Sequence, residues 1–311
     1  MVYPLSASQP ENNQRGKMSM NKIVRIGAIT MAVGIIGVVS MVFFLGYNFF
    51  LEDVKNVNLH KTVEAKNATQ IEINSNVGDI NLHLSERDEV LAEMTGKVPQ
   101  GTEVKFEVFE SNHKITVTME QREKRLLDFS FGKISEPPVL NVYIPEKMYE
   151  SLHVKTRLGD IHANQALLAK TLTVNTASGN ISLSGYRGDQ LNVRSHLGDI
   201  ELRQIDATVD VRADSGDIEV RPLLNAKKDN RIQSNLGDVT VQLQSLPKSL
   251  YVDLATNLGS IDTDFPVTAV TSGKKELVEV HAGLKGYIGE QSDNSAKLHV
   301  KTDSGNVILQ K

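Results

Sequence analysis

The 311-residue sequence contains no cysteine and no tryptophan, and aromatic residues make up only 5% of it. The first absence excludes disulfide staples, thiol catalysis and cysteine metal sites. With so few rings, a core must be built from Val, Ile and Leu, which fill pleated surfaces well. A dominant charge is missing too: 34 basic residues against 38 acidic ones leave a net charge of −4. No global basic field is available to hold nucleic acid, so none is expected as a partner. Signs of chemistry are equally scarce. The eight histidines do not cluster, no set has zinc-ligand spacing, and there is no Gly-x-Ser-x-Gly nucleophile motif. Each recurrent glycine opens a strand rather than a helix, which excludes a phosphate-binding glycine loop. The reading is of a protein without catalytic residues, cofactor or metal.

One long apolar run is present. Ile26–Leu45, "IGAITMAVGIIGVVSMVFFL", has 20 residues and no charge. As a helix rising ~1.5 Å per residue it spans ~30 Å, the thickness of a bilayer's hydrocarbon layer. A transmembrane helix is expected over residues 26–51. "GYNFFLED" follows it where a signal peptide would carry a small-x-small cleavage site, so the span is read as an uncleaved anchor. Arg15, Lys17, Lys22 and Arg25 precede it, whereas Glu52 and Asp53 follow. That asymmetry places residues 1–25 as a short cytoplasmic tail and the rest outside the cell. Met1, Met18 and Met20 are alternative starts with the same topology. Residues 52–68 read as a polar stalk.

The remainder repeats one phrase. "SNVGDINL", "TRLGDIHA", "TASGNISL", "SHLGDIEL", "ADSGDIEV", "SNLGDVTV", "TNLGSIDT" and "TDSGNVIL" align on Gly78, Gly159, Gly179, Gly198, Gly216, Gly237, Gly259 and Gly305. From Gly159 to Gly259 the steps are 20, 19, 18, 21 and 22 residues. A constant step near 20 marks a stacked array. Within each unit the apolar positions alternate with period two, break at the glycine and resume, which reads as strand, corner, strand. Glycine tolerates positive φ at such a corner, and Asp, Asn or Ser after it can bond to turn amides. One unit cannot bury its own apolar row, but a pile of units can. The expected fold is all-β: a single-stranded β-solenoid of ~20-residue coils over 69–311, preceded by the one helix. Ile80, Ile161, Ile181, Ile200, Ile218, Val239, Ile261 and Val307 should form an interior column. The wider steps, 81 residues before Gly159 and 46 before Gly305, read as about four and about two units. That gives roughly a dozen coils in a rod of about 55–60 Å.

Residues 97 to 150 depart from the phrase. "VKFEVFE" and "HKITVTME" form an expected hairpin around "SNHK", followed by a loop-rich insertion at about 120–138. The recurrent "VNTASGNISL" and "VRADSGDIEV" units, the "VYIPEKMYESLHVKT" lead-in and the single N-terminal span together resemble the LiaG-like adhesin family of bacteria, a domain of unknown function. The likeness covers nearly all of residues 70 to 311. It implies a cell-envelope setting and brings no catalytic residues with it.

Three features are candidates for binding. Asp160, Asp199, Asp217 and Asp238 share a corner column that could attract calcium, yet Asn180, Ser260 and Asn306 occupy it too, which favours a structural task. Arg187-Gly188-Asp189 matches an integrin-binding tripeptide but falls at an inter-coil turn. Leu126, Leu127, Phe129 and Phe131, flanked by Arg122, Lys124, Arg125 and Lys133, make the better partner-binding loop. An outward column of Lys155, Asn175, Arg194, Arg212, Gln233, Ala255 and Lys301 suggests an acidic wall polymer as ligand, beside an envelope protein as alternative partner. The expected function is a membrane-anchored, non-enzymatic binding or scaffolding surface at the bacterial envelope. The competing readings are a self-assembling structural solenoid, whose last repeat leaves little room for a cap before Lys311, and a polysaccharide-active β-helix enzyme.

Overall fold

The computed structural model describes residues 20–45, 54–123, 137–224, 228–269 and 282–311. It holds two compact units. The first contains α1 (Met20–Leu45), a helix of 26 residues. Its side chains are described only at Gly27 and residues 29–40, all exposed. Over described residues alone, no helix is long and apolar enough to cross a membrane.

The second unit is a stack of rungs, each bent at a corner glycine. It opens with β1 (Val54–Glu64), β2 (Gln70–Ser75) and β3 (Asp79–Ser85). Next come β4 (Glu89–Pro99), β5 (Thr102–Ser111), β6 (Lys114–Glu123) and β7 (Val139–Pro145). Regular rungs follow as β8 (Tyr149–Leu158) with β9 (Ile161–Ala163), and β10 (Leu167–Ser178) with β11 (Ile181–Leu183). Then come β12 (Tyr186–Leu197), β13 (Ile200–Ser215), β14 (Ile218–Leu223), β15 (Asp229–Leu236) and β16 (Val239–Leu243). β13 closes one rung and opens the next. The chain finishes with β17 (Ser249–Leu258), β18 (Ile261–Thr263), β19 (Thr268–Ala269), β20 (Ala282–Gly289), β21 (Ala296–Ser304) and β22 (Val307–Gln310).

Strands preceding the corner pair in parallel in the order β6, β2, β8, β10, β12, β13, β15, β21, β17. Strands following it pair in the order β7, β3, β9, β11, β13, β14, β16, β22, β18. The expected interior column is present. Ile80, Ile161, Ile181, Ile200, Ile218, Val239, Val307 and Ile261 are successive register partners. All but the terminal Ile261 are at most 1% exposed. The "SNHK" hairpin is also present: β5 and β6 pair antiparallel with Ser111 opposite Lys114, and Asn112 and His113 take positive φ at the turn.

Four expectations are corrected. The 81-residue step contains no four coils. Gly78 and Gly159 stack directly, and the chain between them forms antiparallel strands and one outer rung, β6 with β7. The 46-residue step contains no two coils either: β20 pairs antiparallel with β17, and the last repeat returns to fill the space between the Gly237 and Gly259 rungs. Nine rungs are therefore present among the described residues, not a dozen. Within the expected stalk, residues 54–64 are instead part of the sheet, because β1 pairs with β4 along its whole length. Finally, the Gly259 rung ends the stack, and β20 lies on its first strand with β19 paired to β20 in turn. The open end required for end-to-end assembly is covered on that side. All four errors share one cause. Alternation identifies a strand but says nothing of whether it runs with or against its neighbour.

Candidate functional site

Three backbone-directed ladders build the corner. Every corner glycine amide except that of the terminal Gly259 donates to the residue before the glycine of the adjacent rung, for example Gly198 N to Ser215 O at 3.0 Å and Gly179 N to Leu197 O at 2.8 Å. The residue after the glycine accepts with its side chain. Asp79 Oδ1 takes the amide of Asp160 at 2.9 Å, Asp160 Oδ1 that of Asn180 at 2.7 Å, and Asn180 Oδ1 that of Asp199 at 2.8 Å. Asp199, Asp217, Asp238 and Asn306 continue the series to the amide of Ser260. This occupies one oxygen of each carboxylate with backbone, so the column has a structural task that an amide performs as well.

Three residues before the glycine, a buried hydroxyl donates to the glycine carbonyl of the adjacent rung. Ser195 Oγ reaches Gly179 O at 3.2 Å, Ser234 Oγ reaches Gly216 O at 2.9 Å, and Thr302 Oγ1 reaches Gly237 O at 2.8 Å. Ala213, 2% exposed, stands where the hydroxyl would serve Gly198 O. Ala213→Ser should therefore add one hydrogen bond and raise stability by about 1 kcal/mol. Urea unfolding at unchanged slope checks it.

The Arg187-Gly188-Asp189 tripeptide lies in a bulge where the register between β12 and β13 shifts. A Cβ on Gly188 would stand 1.9 Å from Ala169 O and 2.3 Å from Tyr186 Oη. That glycine is needed for close approach to Tyr186, whose hydroxyl lies 2.8 Å from both Ala169 O and Gln190 O. Burial pushes the phenol upward. Leu126, Leu127, Phe129 and Phe131 lie outside the described residues.

The stack brings together a face that no single stretch displays. Within eight residues of the corner glycine, the outward alternating residues of β8 are Ser151, His153, Lys155 and Arg157; of β10, Thr171, Thr173, Asn175 and Ala177; of β12, Gln190, Asn192, Arg194 and His196. These twelve positions present three cations, two histidines, amides and hydroxyls without a carboxylate; Glu150, which pairs with Lys170 at 2.8 Å, and Asp189 are exposed farther back on the same strands. Rungs at ~4.8 Å and same-face residues at ~6.6 Å make the patch roughly 10 Å by 20 Å between outermost Cα atoms. Lys155, Arg157 and Arg194 are exposed and make no ion pair among the described residues. Local contacts are soft: Asn175 Nδ2 lies 3.4 Å from His153 Nε2, and Gln190 Nε2 donates to Asn192 Oδ1 at 3.1 Å. A groove of about 250 Å³ adjoins Arg194 and His196 on the side of Arg212, Asp214 and Gln233.

Several cations and carboxylates beyond the patch pair with one another. Arg212 is held by both oxygens of Asp210, at 2.9 and 3.0 Å, and Lys301 approaches Asp303 at 3.7 Å. On β2, hydrogen bonds from Asn74 and then Lys114 hold the Glu72 carboxyl below the usual range. Of the outward basic column, Lys155 and Arg194 thus belong to the patch, whereas Arg212 and Lys301 are engaged elsewhere. The missed signal was visible as three successive repeats without Asp or Glu at the outward positions within eight residues before the glycine.

The profile of the Toastrack DUF4097 family matches residues 68–310, over three-quarters of the chain. The chain belongs to this family. No curated protein matches it. Among solved structures, the Toastrack chain is similar to a candidate cell adhesion protein of Clostridium sporogenes at 19% identity and TM-score 0.35, covering 83% of this chain and 100% of that one. A candidate adhesin of Bacteroides fragilis is 14% identical, with TM-score 0.42 and coverage of 82% and 97%. A candidate lipid binding protein of Parabacteroides distasonis is 15% identical, with TM-score 0.40 and coverage of 82% and 96%. The Toastrack match takes in every corner glycine from Gly78 to Gly305.

Proposed function

We propose that this Toastrack protein is a membrane-anchored, non-enzymatic binding domain of the bacterial cell envelope, of the LiaG-like type, and that its ligand is an anionic envelope polymer. The observation carrying the ligand class is the cationic patch nearest the corner on β8, β10 and β12, where Lys155, Arg157 and Arg194 stand without an ion-pair partner among the described residues. A flat cationic surface lined with Asn, Gln, Thr and His suits a phosphate- or carboxylate-bearing polymer with hydroxyl groups, since it offers charge together with neutral donors. Support for anchoring comes from the apolar run of α1 and the basic residues before it.

Binding of the full chain in lipid nanodiscs to fluorescent poly(glycerol phosphate) tests the reading. Binding should weaken as salt rises. The double variant Lys155→Ala, Arg194→Ala should bind about tenfold more weakly, a loss of about 1.4 kcal/mol. Arg231→Ala, outside the face, should bind as the parent does. Equal affinity of parent and double variant would overturn the proposal.

A further inference from the structure

From Gly159 onward the residue just before each corner glycine lies at the surface, in a line that the half-buried Val77 of the Gly78 rung extends beside Leu158. In spatial order these residues are Leu158, Ser178, Leu197, Ser215, Leu236, Ser304 and Leu258, each the register partner of the next. The four leucines are 46%, 58%, 57% and 65% exposed. Large apolar side chains therefore stand along one edge at ~9.6 Å intervals, with a serine notch between each pair. In chain order the series ends Leu236, Leu258, Ser304; only the interleaved last rung makes the alternation complete.

Beside the ridge runs a second column, one residue earlier: Arg157, Ala177, His196, Asp214, Asn235, Asp303 and Asn257. It is basic at the β8 end and acidic toward the β17 end. Asp214 is approached by His196 at 3.9 Å and by Asn235 Nδ2 at 3.4 Å, and Asp303 by Asn257 Nδ2 at 3.0 Å.

We propose that a second copy of this chain docks antiparallel on this ridge, with Leu158, Leu197 and Leu236 of one copy each seated in a serine notch of the other and Leu258 against the other copy's Val77. Take a two-fold axis perpendicular to the ridge, between Leu197 and Ser215. It sets Leu158 against the other copy's Ser304, Ser178 against Leu236, and Leu197 against Ser215. The same axis sets Arg157 against Asp303 and His196 against Asp214, so the charge gradient complements itself. This is the isologous contact that two-fold symmetry requires. A parallel pairing would put leucine on leucine and leave the notches empty, forfeiting contact. The next column outward would face Lys155 with Lys301 and Arg194 with Arg212, which confines the contact to a narrow strip. Such a strip belongs with small, weak interfaces, and self-association is expected only at high concentration or on a crowded membrane.

The native chain has no cysteine, so single-cysteine variants report on the contact without background. A disulfide needs Cα atoms within about 7 Å. Full-length Ser178→Cys and Leu236→Cys proteins, mixed in nanodisc-free detergent solution under mild oxidant, should form a covalent heterodimer, while neither alone should cross-link. Cross-linking by each variant alone would overturn the antiparallel docking in favour of a parallel one. No heterodimer in the mixture would overturn the second copy as occupant. Leu197→Asp, with parental circular dichroism, should abolish self-association in sedimentation equilibrium, and retained association would also contradict the proposal.

Discussion

Replacing Gly198 by alanine is expected to destabilise the stack by at least about 3 kcal/mol. The corner residue has φ 136°, and a Cβ there would stand 2.2 Å from Gly179 O and 2.6 Å from Gly179 C. Two costs combine. An L side chain at such a φ is strained by about 1–3 kcal/mol. The overlap falls on backbone, so the rungs must separate to relieve it. Separation stretches the Gly179 N to Leu197 O bond and the Ser195 Oγ to Gly179 O bond together. Gly101→Ala separates the two costs. Its φ is 86° and nothing lies within 4 Å of the added Cβ, so only a backbone penalty of about 1–2 kcal/mol applies. Urea midpoints of the two variants measure the difference. Equal shifts would mean that rung-to-rung contact does not select glycine.

Removing residues 291–311 is expected to dismantle the far end of the stack rather than trim it. The deleted rung carries Leu298, Val300, Val307 and Leu309, each fully buried. Burying such side chains stabilises by roughly 1.5–3 kcal/mol each, or about 6–12 kcal/mol together as an upper bound. That is comparable to the whole stability of an ordinary domain. The rung also bridges β15 to β17 and β16 to β18. Without it, β17 loses its parallel partner and keeps only the antiparallel β20. Hydrogen exchange should show β17 amides unprotected in the truncated protein. Were the rungs stacked in chain order, β17 would stay protected by β15.

Much of this architecture is legible in the residues, and the illegible parts have definite reasons. Ile161, Ile181 and Ile200 are spaced by one coil each, so counting from the glycine assigns them to one column. The corner hydroxyls at Thr176 and Ser195 carry the same regularity. What the pattern lacks is spatial order. The stretch around Leu284 to Ile288 alternates as a rung does, yet it runs antiparallel to β17. Nothing local distinguishes those cases, because strand direction is decided by which partner offers a free edge. The role of the corner glycine was legible only in part: positive φ follows from the turn, but the carbonyl 2.1–2.3 Å from the missing Cβ at Gly179 and Gly159 does not. The cationic face illustrates a third limit. Lys155 and Arg194 were visible as a column, but their freedom from carboxylates depends on the neighbours that flank them across three rungs. The loop holding Phe129 and Phe131 lies outside the described residues, and its partner-binding role stays a proposal.

The central claim is that the rung of Gly305 sits between those of Gly237 and Gly259. Paired cysteines on the outward column test it directly. Gln233 and Lys301 are register partners, as are Lys301 and Ala255, which leaves Gln233 and Ala255 two rungs apart at ~9.6 Å. Gln233→Cys with Lys301→Cys should close an intramolecular disulfide, and Gln233→Cys with Ala255→Cys should not. Closure of the second pair and failure of the first would show rungs stacked in simple chain order, contradicting the threading and, with it, the continuous leucine–serine ridge.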